Sequence, residues 1–206
     1  ERVVYPWKWR DQVTGDDTGK SSPDIQEIES IGFDLATILD YEATVSKSMK
    51  GNAHDWLYAK TGTIQYLIEA GAGGQEGMQT SDITYLNQTI KDNILAAFYL
   101  INKAAGNDAG DFSVIRPDIA LMKGVVKDAS SGEIIIGASI TILELTGPML
   151  ENRITDQFGK FRRVVGPGSY TVEVSHYGFE TLLDTSNVSY AAVNELEFNL
   201  IPNNQH

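Results

Sequence analysis

The chain has 206 residues, which suits one large domain or two small ones, and its formal charge of −12 without a basic stripe argues against a nucleic-acid partner. It contains no cysteine, which excludes disulfides and thiolate metal sites. No apolar run reaches the roughly 18 to 20 residues that a membrane-spanning helix needs.

The first part of the chain alternates between strand and helix signals. The chain starts with a predicted buried strand, formed by Val3, Val4 and Tyr5 and ending at Pro6. We therefore expect the chain to begin inside a fold. Either an upstream segment has been removed, or the chain is a fragment. Residues 7–22 are rich in Gly, Asp, Thr and Ser and predict a loop. Ser22 is a favourable N-cap for a helix over residues 23–41, and residues 42–55 are then predicted to be loop.

A second strand and a second helix follow. Residues 63–69 predict a buried strand that ends in Glu69, directly before a glycine-rich loop. A helix is predicted over 81–105. Its apolar residues recur at helical spacing and are Ile83, Leu86, Ile90, Ile94, Ala97, Phe98 and Ile101. This order of elements is typical of part of an α/β layered domain.

The pattern changes after residue 118. From there the chain consists of short alternating runs, separated by Gly and Asp, which predict a small all-β sandwich. The runs are 121–128, 138–145, 152–155, 160–165, 169–175 and 196–201. We therefore predict two domains, residues 1–114 and residues 115–206, with the boundary near 115–118.

The second domain resembles the transthyretin-like, carboxypeptidase-regulatory type of β-sandwich. The resemblance rests on "GVVKDASSGEIIIGASITI" (124–142) and "TDQFGKFRRVVGPGSYTVEVSHYGFE" (155–180). In the second segment Gly159 is expected to turn a tight hairpin after Asp156. The resemblance covers nearly the whole domain and implies a fold, with little about activity.

The first domain resembles the C-terminal half of the catalytic domain of zinc metallocarboxypeptidases. The motif is Asp-Trp-x-Tyr, then Gly, then a strand that ends in Glu; here it is carried by Asp55, Trp56, Tyr58, Gly62 and Glu69. The resemblance implies that Glu69 is the general base and that the residue before Asp55, His54, lines the pocket for the C-terminal side chain of the substrate. We expect Trp56 and Tyr58 themselves to pack in the core.

The sequence departs from that family in two ways. The chain has only His54, His176 and His206, and no His-x-x-Glu, so it supplies no zinc ligands. The family has a tyrosine eight residues before the motif Asp, where this chain has Lys47; Tyr41 is the nearest alternative. Lys47 is a candidate to contact the substrate carboxylate, because the family's arginines for that carboxylate would lie upstream of this chain.

Two hypotheses on function follow. The resemblance implies that the intact parent is a zinc-dependent carboxypeptidase that hydrolyses C-terminal peptide bonds, is secreted, periplasmic or on the cell surface, and acts on peptides with a free C-terminus. The 206-residue chain alone is then expected to be inactive, and its first domain to expose apolar surface that the N-terminal half or a second copy covers. The alternative is a non-catalytic relative that serves as a binding or cell-surface module.

Overall fold

The computed structural model describes residues 1–6, 22–45, 52–71, 81–105, 120–147, 150–189 and 193–203. The chain divides into two compact units. One comprises Glu1–Tyr58 and Thr63–Arg116, and the other comprises Ala59–Gly62 and Pro117–His206. The predicted boundary at 115–118 lies outside the described residues, and the predicted domain limits stay a prediction.

The first unit contains a small mixed sheet and helices. Its elements in chain order are β1 (Arg2–Tyr5), α1 (Ile25–Leu39), β2 (Glu42–Val45), α2 (Ala53–Thr61), β3 (Leu67–Glu69) and α3 (Ile83–Ala105), except that the last three residues of α2 belong to the other unit. The strand order is β2-β1-β3, with β1 parallel to β2 and antiparallel to β3. The central strand β1 is therefore held by backbone hydrogen bonds on both sides, and β3 is an edge among the described strands.

The helix predicted over 23–41 is confirmed as α1. Its buried face follows the predicted helical spacing through Ile28, Ile31 and Leu35. The helix ends at Leu39, and Asp40 adopts a left-handed conformation with φ 56°, which directs the chain into β2. Ser22 lies before the helix, where its Oγ accepts a hydrogen bond from the backbone N–H of Asp24 at 3.0 Å.

Residues 42–69 differ from the sequence-based expectation. The predicted loop over 42–55 is wrong at both ends, because 42–45 form β2 against β1 and α2 begins at Ala53. The strand predicted over 63–69 is confined to Leu67–Glu69, where β3 pairs with β1. Tyr58 is fully buried as expected, but Trp56 is 59% exposed, so the expectation that it packs in the core is wrong.

The helix predicted over 81–105 is confirmed as α3, but the predicted apolar face does not pack in the core of the first unit. The buried residues are Thr89, Ala96 and Tyr99, on the other side of the helix. The large apolar residues that α3 leaves exposed are Ile83, Ile90, Ile94, Leu95, Phe98 and Ile101. We call this exposed set the α3 apolar stripe.

The second unit is a β-sandwich, as the sequence predicts. Its strands are β4 (Ala120–Asp128), β5 (Ser139–Ile142), β6 (Arg153–Ile154), β7 (Lys160–Val165), β8 (Gly168–Ser175), β9 (Leu182–Val188) and β10 (Val193–Leu200), with a short 3₁₀ helix at Leu143–Leu145. One sheet has the order β10-β4-β7 and the other β6-β5-β8-β9. The predicted runs missed β9, whose residues are mostly polar and exposed.

Both sheets contribute alternate residues to one hydrophobic core, among them Met122, Val126, Ile140, Val172 and Phe198. A tight turn forms at Gly159, whose φ of 67° favours glycine, but the expected hairpin is wrong, because β6 and β7 belong to different sheets and do not pair. Oδ1 of Asp156 accepts the backbone N–H of Phe158 at 2.8 Å and that of Lys160 at 2.9 Å. The carboxylate thus fixes the turn that the sequence locates there.

Candidate functional site

Glu69, the residue expected to act as general base, is the last residue of β3. Its backbone is fixed because it pairs with Arg2 in the antiparallel register of β1 and β3. Its side chain is 44% exposed, and Oε2 accepts a hydrogen bond from Nε of Arg2 at 2.5 Å. A carboxylate with this exposure and a rigid backbone is available to a substrate, but it is also one half of an ion pair.

Arg2 has a second acidic neighbour. Its Cα partner on β2 is Glu42, so Glu42, Arg2 and Glu69 form one row across the three strands. The hydrogen bond and charge of Glu69, with a smaller contribution from Glu42, raise the pKa of the Arg2 guanidinium above its usual value. This row could not be predicted from the sequence. Local periodicity does not show in which register strands pair when they are tens of residues apart in the chain.

Tyr41, a candidate for substrate binding, lies between α1 and β2. Burial raises the pKa of its hydroxyl, and the carboxylate of Glu1 adds to that rise. Its hydroxyl also interacts with the side chain of Asn93 in α3. The hydroxyl of the neighbouring Tyr85 donates a hydrogen bond to Glu1 Oε1 at 2.8 Å. The contacts of Tyr41 thus run to Glu1 and α3, whereas the contact of Glu69 runs to Arg2.

His54, the candidate for the specificity pocket, lies in the first turn of α2 and is buried. Its Nε2 is 3.9 Å from Oδ1 of Asp55, beyond hydrogen-bond distance. The fourth candidate, Lys47, lies outside the described residues. The roles assigned to Glu69, His54, Lys47 and Tyr41 stay predictions.

Two buried carboxylates in the first unit were not anticipated. The Tyr58 hydroxyl donates to Asp24 Oδ2 at 2.6 Å, and the Tyr99 hydroxyl donates to Asp34 Oδ2 at 2.5 Å. All four side chains are buried. The signal that could have found one of them is the position of Asp34, which lies three residues after the apolar Ile31 and directly before Leu35 on the buried face of α1. These pairs hold α2 and α3 to the segment that contains α1.

A metal site needs several converging ligands. Within the described ranges, no group of three or more His, Cys, Asp or Glu side chains could hold a metal ion. These residues therefore do not fit a zinc ion, and we derive no chemical step through one. None of the helices that the structure describes has the length and apolar character to cross a bilayer.

Comparison with known proteins bears on the second unit. The sequence model of the carboxypeptidase regulatory-like domain matches residues 122–200, which extend from β4 to the end of β10. The match ends there, and the first unit lies outside it. No curated protein matches the chain.

Solved structures give only weak likenesses. Catechol 1,2-dioxygenase of Acinetobacter radioresistens is 12% identical with a TM-score of 0.34, covering 48% of this chain and 56% of its own. Hydroxyquinol 1,2-dioxygenase from Pseudomonas putida DLL-E4 is 11% identical with a TM-score of 0.34, and the likeness covers 43% of this chain and 58% of the dioxygenase. The pilus 2b backbone protein of group B streptococcus is 10% identical with a TM-score of 0.36, covering 44% and 43%. The chain thus spans about half the length of these proteins, and the likeness identifies no shared chemistry.

Proposed function

We propose that the chain is the C-terminal part of a zinc-dependent carboxypeptidase, in which residues 1–114 complete the catalytic domain and residues 115–206 form a non-catalytic accessory sandwich. The observation that carries the proposal is the placement of Glu69. Glu69 is the last residue of β3, an edge among the described strands; its backbone is fixed by β1, and its side chain is accessible. The motif from Asp55 to Glu69, which resembles the metallocarboxypeptidase segment, supports the same assignment.

The chemistry assigned to Glu69 is proton transfer. Hydrolysis of a peptide bond requires a group that accepts a proton from the attacking water and then delivers a proton to the leaving amine. A carboxylate with a rigid backbone can do both because one oxygen atom can reach either partner in turn. Zinc, when present in the parent, would supply Lewis-acid chemistry. Its ligands would come from polypeptide outside this chain.

The α3 apolar stripe supports the presence of such polypeptide. Six large apolar side chains on one helix are exposed, and Ile83 and Ile101 at its two ends are each more than 60% exposed. Contiguous apolar surface of this kind marks an interface. We assign it to the N-terminal half of the catalytic domain, because the proposed reaction needs ligands that the described residues do not provide. If the 206-residue chain forms a dimer, a second copy of the chain covers the stripe instead.

From the family resemblance we also propose that the parent protein is secreted, periplasmic or on the cell surface.

The test uses the protein encoded by the complete gene. We expect it to bind about one zinc ion and to release C-terminal residues from peptides. Glu69→Gln should lower kcat/KM by about 100-fold or more while zinc content and melting temperature are retained. The matched control is Glu42→Gln, the same change in the same row of the sheet on the far side of Arg2, which should leave activity within about twofold. Full activity in the Glu69 variant, or a monomeric 206-residue chain with no exposed apolar surface, would contradict the proposal.

Two observations favour a second candidate, a non-catalytic binding module. The family model matches residues 122–200 of the regulatory-like sandwich, which lie outside the first unit, and Lys47 stands where the resemblance calls for a tyrosine. On this alternative the complete protein binds no zinc and releases no amino acids, but it retains peptides with a free C-terminus. Glu69→Gln then has no effect on hydrolysis, because the unaltered protein has no hydrolytic activity. Zinc content and hydrolysis of the complete protein decide between the two candidates.

A further inference from the structure

Arg2 lies between two glutamates on one face of the sheet of the first unit. Directly paired residues on neighbouring strands project to the same face, so Glu42, Arg2 and Glu69 point the same way. All three residues are exposed. The guanidinium group nevertheless selects one of the two acids for its hydrogen bond, because Nε contacts Oε2 of Glu69 at 2.5 Å.

The contact does little for the stability of the fold. The side chains of Arg2 and Glu69 are 49% and 44% exposed, and ion pairs with such exposure contribute little to unfolding free energy because water and salt screen them. The contact therefore affects mainly the orientation of the Glu69 carboxylate. A half-exposed glutamate without a partner samples several rotamers.

The backbones of both partners are paired, but on different numbers of sides. Arg2 is on β1, which pairs on both sides, whereas Glu69 is the last residue of the three-residue strand β3, which pairs on one side among the described strands. After Glu69 come Ala70 and Gly71, and the φ of Gly71 is 109°, a backbone conformation that favours glycine and is incompatible with a continued strand. Within the described part of the chain, Arg2 is the only side chain that hydrogen-bonds to the Glu69 carboxylate.

We propose that Arg2 is the positioning residue for Glu69, holding its carboxylate by Oε2 in a single orientation at the end of β3. A planar guanidinium group is suited to this because its N–H groups have fixed directions, unlike the freely rotating ammonium group of lysine. The catalytic consequence rests on the proposed function, but the contact itself does not.

The contact can be tested in the 206-residue chain without any activity assay. In ¹⁵N-labelled protein, the Nε–H resonance of Arg2, assigned by its loss in Arg2→Lys, is expected to be shifted downfield and to exchange slowly with water. Glu69→Gln should return it to the position and exchange rate of a solvated arginine, and Glu42→Gln should leave it unchanged. An Nε–H resonance that is insensitive to Glu69→Gln, or that responds to Glu42→Gln instead, would overturn the proposal.

The catalytic consequence is tested in the protein encoded by the complete gene. Arg2→Gln should lower kcat by roughly tenfold while KM changes by less than about twofold, because misorientation of a base affects the chemical step more than substrate binding. Arg2→Lys keeps the positive charge but lacks the fixed N–H directions of the guanidinium group, so it should recover only part of kcat. This variant replaces Arg2→Gln in the test if Arg2→Gln folds poorly. Wild-type kcat in both variants would overturn the positioning role.

The two proposals can fail separately. If Glu69→Gln leaves activity intact, the proposed function is wrong, and the resonance of Arg2 still decides whether the contact exists. If Glu69→Gln abolishes activity and the Arg2 variants keep kcat, only the positioning role is wrong. A fall in melting temperature that parallels the fall in kcat would assign Arg2 to folding and would also overturn it.

Discussion

The Tyr58 hydroxyl donates a 2.6 Å hydrogen bond to Oδ2 of Asp24, and both side chains are buried. Ser22 extends this arrangement, since its Oγ is hydrogen-bonded to the Tyr58 hydroxyl and accepts the backbone N–H of Asp24. The three residues connect α2 to the start of α1. A carboxylate without solvent is stable only when donors surround it, so the segment that carries the carboxypeptidase-like motif is fixed by a polar contact as well as by apolar packing.

Tyr58→Phe should destabilise the first unit. The change removes a donor to the buried Asp24 carboxylate at almost unchanged volume, and the expected loss is about 1–3 kcal/mol of unfolding free energy. Urea unfolding followed by tryptophan fluorescence measures it, because all three tryptophans, at positions 7, 9 and 56, belong to the first unit.

The matched control for that change is Tyr177→Phe, since Tyr177 is 98% exposed and belongs to the sandwich. It should leave the tryptophan transition unchanged. Tyr99→Phe should behave like Tyr58→Phe, because the Tyr99 hydroxyl donates to buried Asp34 at 2.5 Å. A loss of less than about 0.5 kcal/mol in both buried variants would show that these hydroxyls contribute nothing measurable.

The α3 apolar stripe should bind a hydrophobic dye. Ile90 and Phe98 are both about half exposed, so replacing both with Lys removes apolar area without disturbing the core of the unit. We expect the dye fluorescence of the 206-residue chain to fall by about half or more, with an unchanged far-ultraviolet circular dichroism spectrum. A chain that is monomeric and binds no dye in its unaltered form contradicts the exposure of the stripe.

The control for the stripe adds the same charge elsewhere on the helix. Thr84 and Gln88 are exposed polar residues of α3, and replacing both with Lys should leave dye binding as it is. Equal loss of dye binding in the control would show that positive charge, and not apolar surface, governs the signal.

The pH dependence of the sandwich should include a contribution from Asp156. The backbone N–H groups of Lys160 and Phe158 bind its carboxylate and hold its pKa below the usual value of 3.8. Because the pKa is lower in the folded state, the contribution to stability is present above the unfolded pKa and is lost as pH falls through the folded pKa.

Asp156→Ala should therefore lower the melting temperature of the sandwich at pH 7, and the difference from the unaltered chain should shrink as pH falls below 3.8. Calorimetry between pH 2 and pH 7 measures the difference in melting temperature and its change with pH. Tryptophan fluorescence identifies which calorimetric transition belongs to the first unit. Glu133→Gln, which replaces an exposed carboxylate of the same unit, is the comparison variant and should leave the melting temperature at pH 7 unchanged. A difference for Asp156→Ala that is constant across this pH range would contradict the role of the carboxylate.

The sandwich was the most predictable part of the fold from sequence. Its strands β8 and β10 alternate apolar and polar residues, over positions 170–175 and 196–200, and this local signal survives without knowledge of the partner strands. The strand β9 escaped prediction because its residues between Leu183 and Asn187 are mostly polar and exposed, so its place in the sheet depends on pairing with β8.

In the first unit, residues that depend on distant partners were not predictable. The strand β2 has only four residues, too few for a clear periodic signal, and exists because Glu42–Val45 pair with β1. The helix α2 lacks an apolar stripe, since Trp56, Leu57 and Tyr58 are consecutive and face different directions. Glu69 could be identified as a strand-end carboxylate, but its partner Arg2 is 67 residues away, and only the register of β1 and β3 brings the two together.

Gly124→Ala should destabilise the sandwich. Gly124 is on β4, and a Cβ atom there would lie 2.5 Å from Cε1 of Phe161 and 3.1 Å from the backbone oxygen of Leu196. The Phe161 ring is buried and stacks with that of Phe198 at 6.0 Å between centroids, so it cannot move away without disturbing the core. We expect a loss of about 1–3 kcal/mol in the calorimetric or urea transition of the sandwich.

Gly168→Ala is the matched control, because Gly168 is also in a strand and neither glycine has a positive φ. A Cβ at Gly168 would meet the Tyr170 ring at 3.6 Å, an ordinary van der Waals distance. This variant should be neutral, or more stable by about 0.4–1 kcal/mol because alanine restricts the unfolded chain. The tryptophan transition should be unchanged in both variants. Equal stability of the two variants would mean that the Phe161 ring has room to move, and the close contact between β4 and β7 would then not limit the residue at position 124.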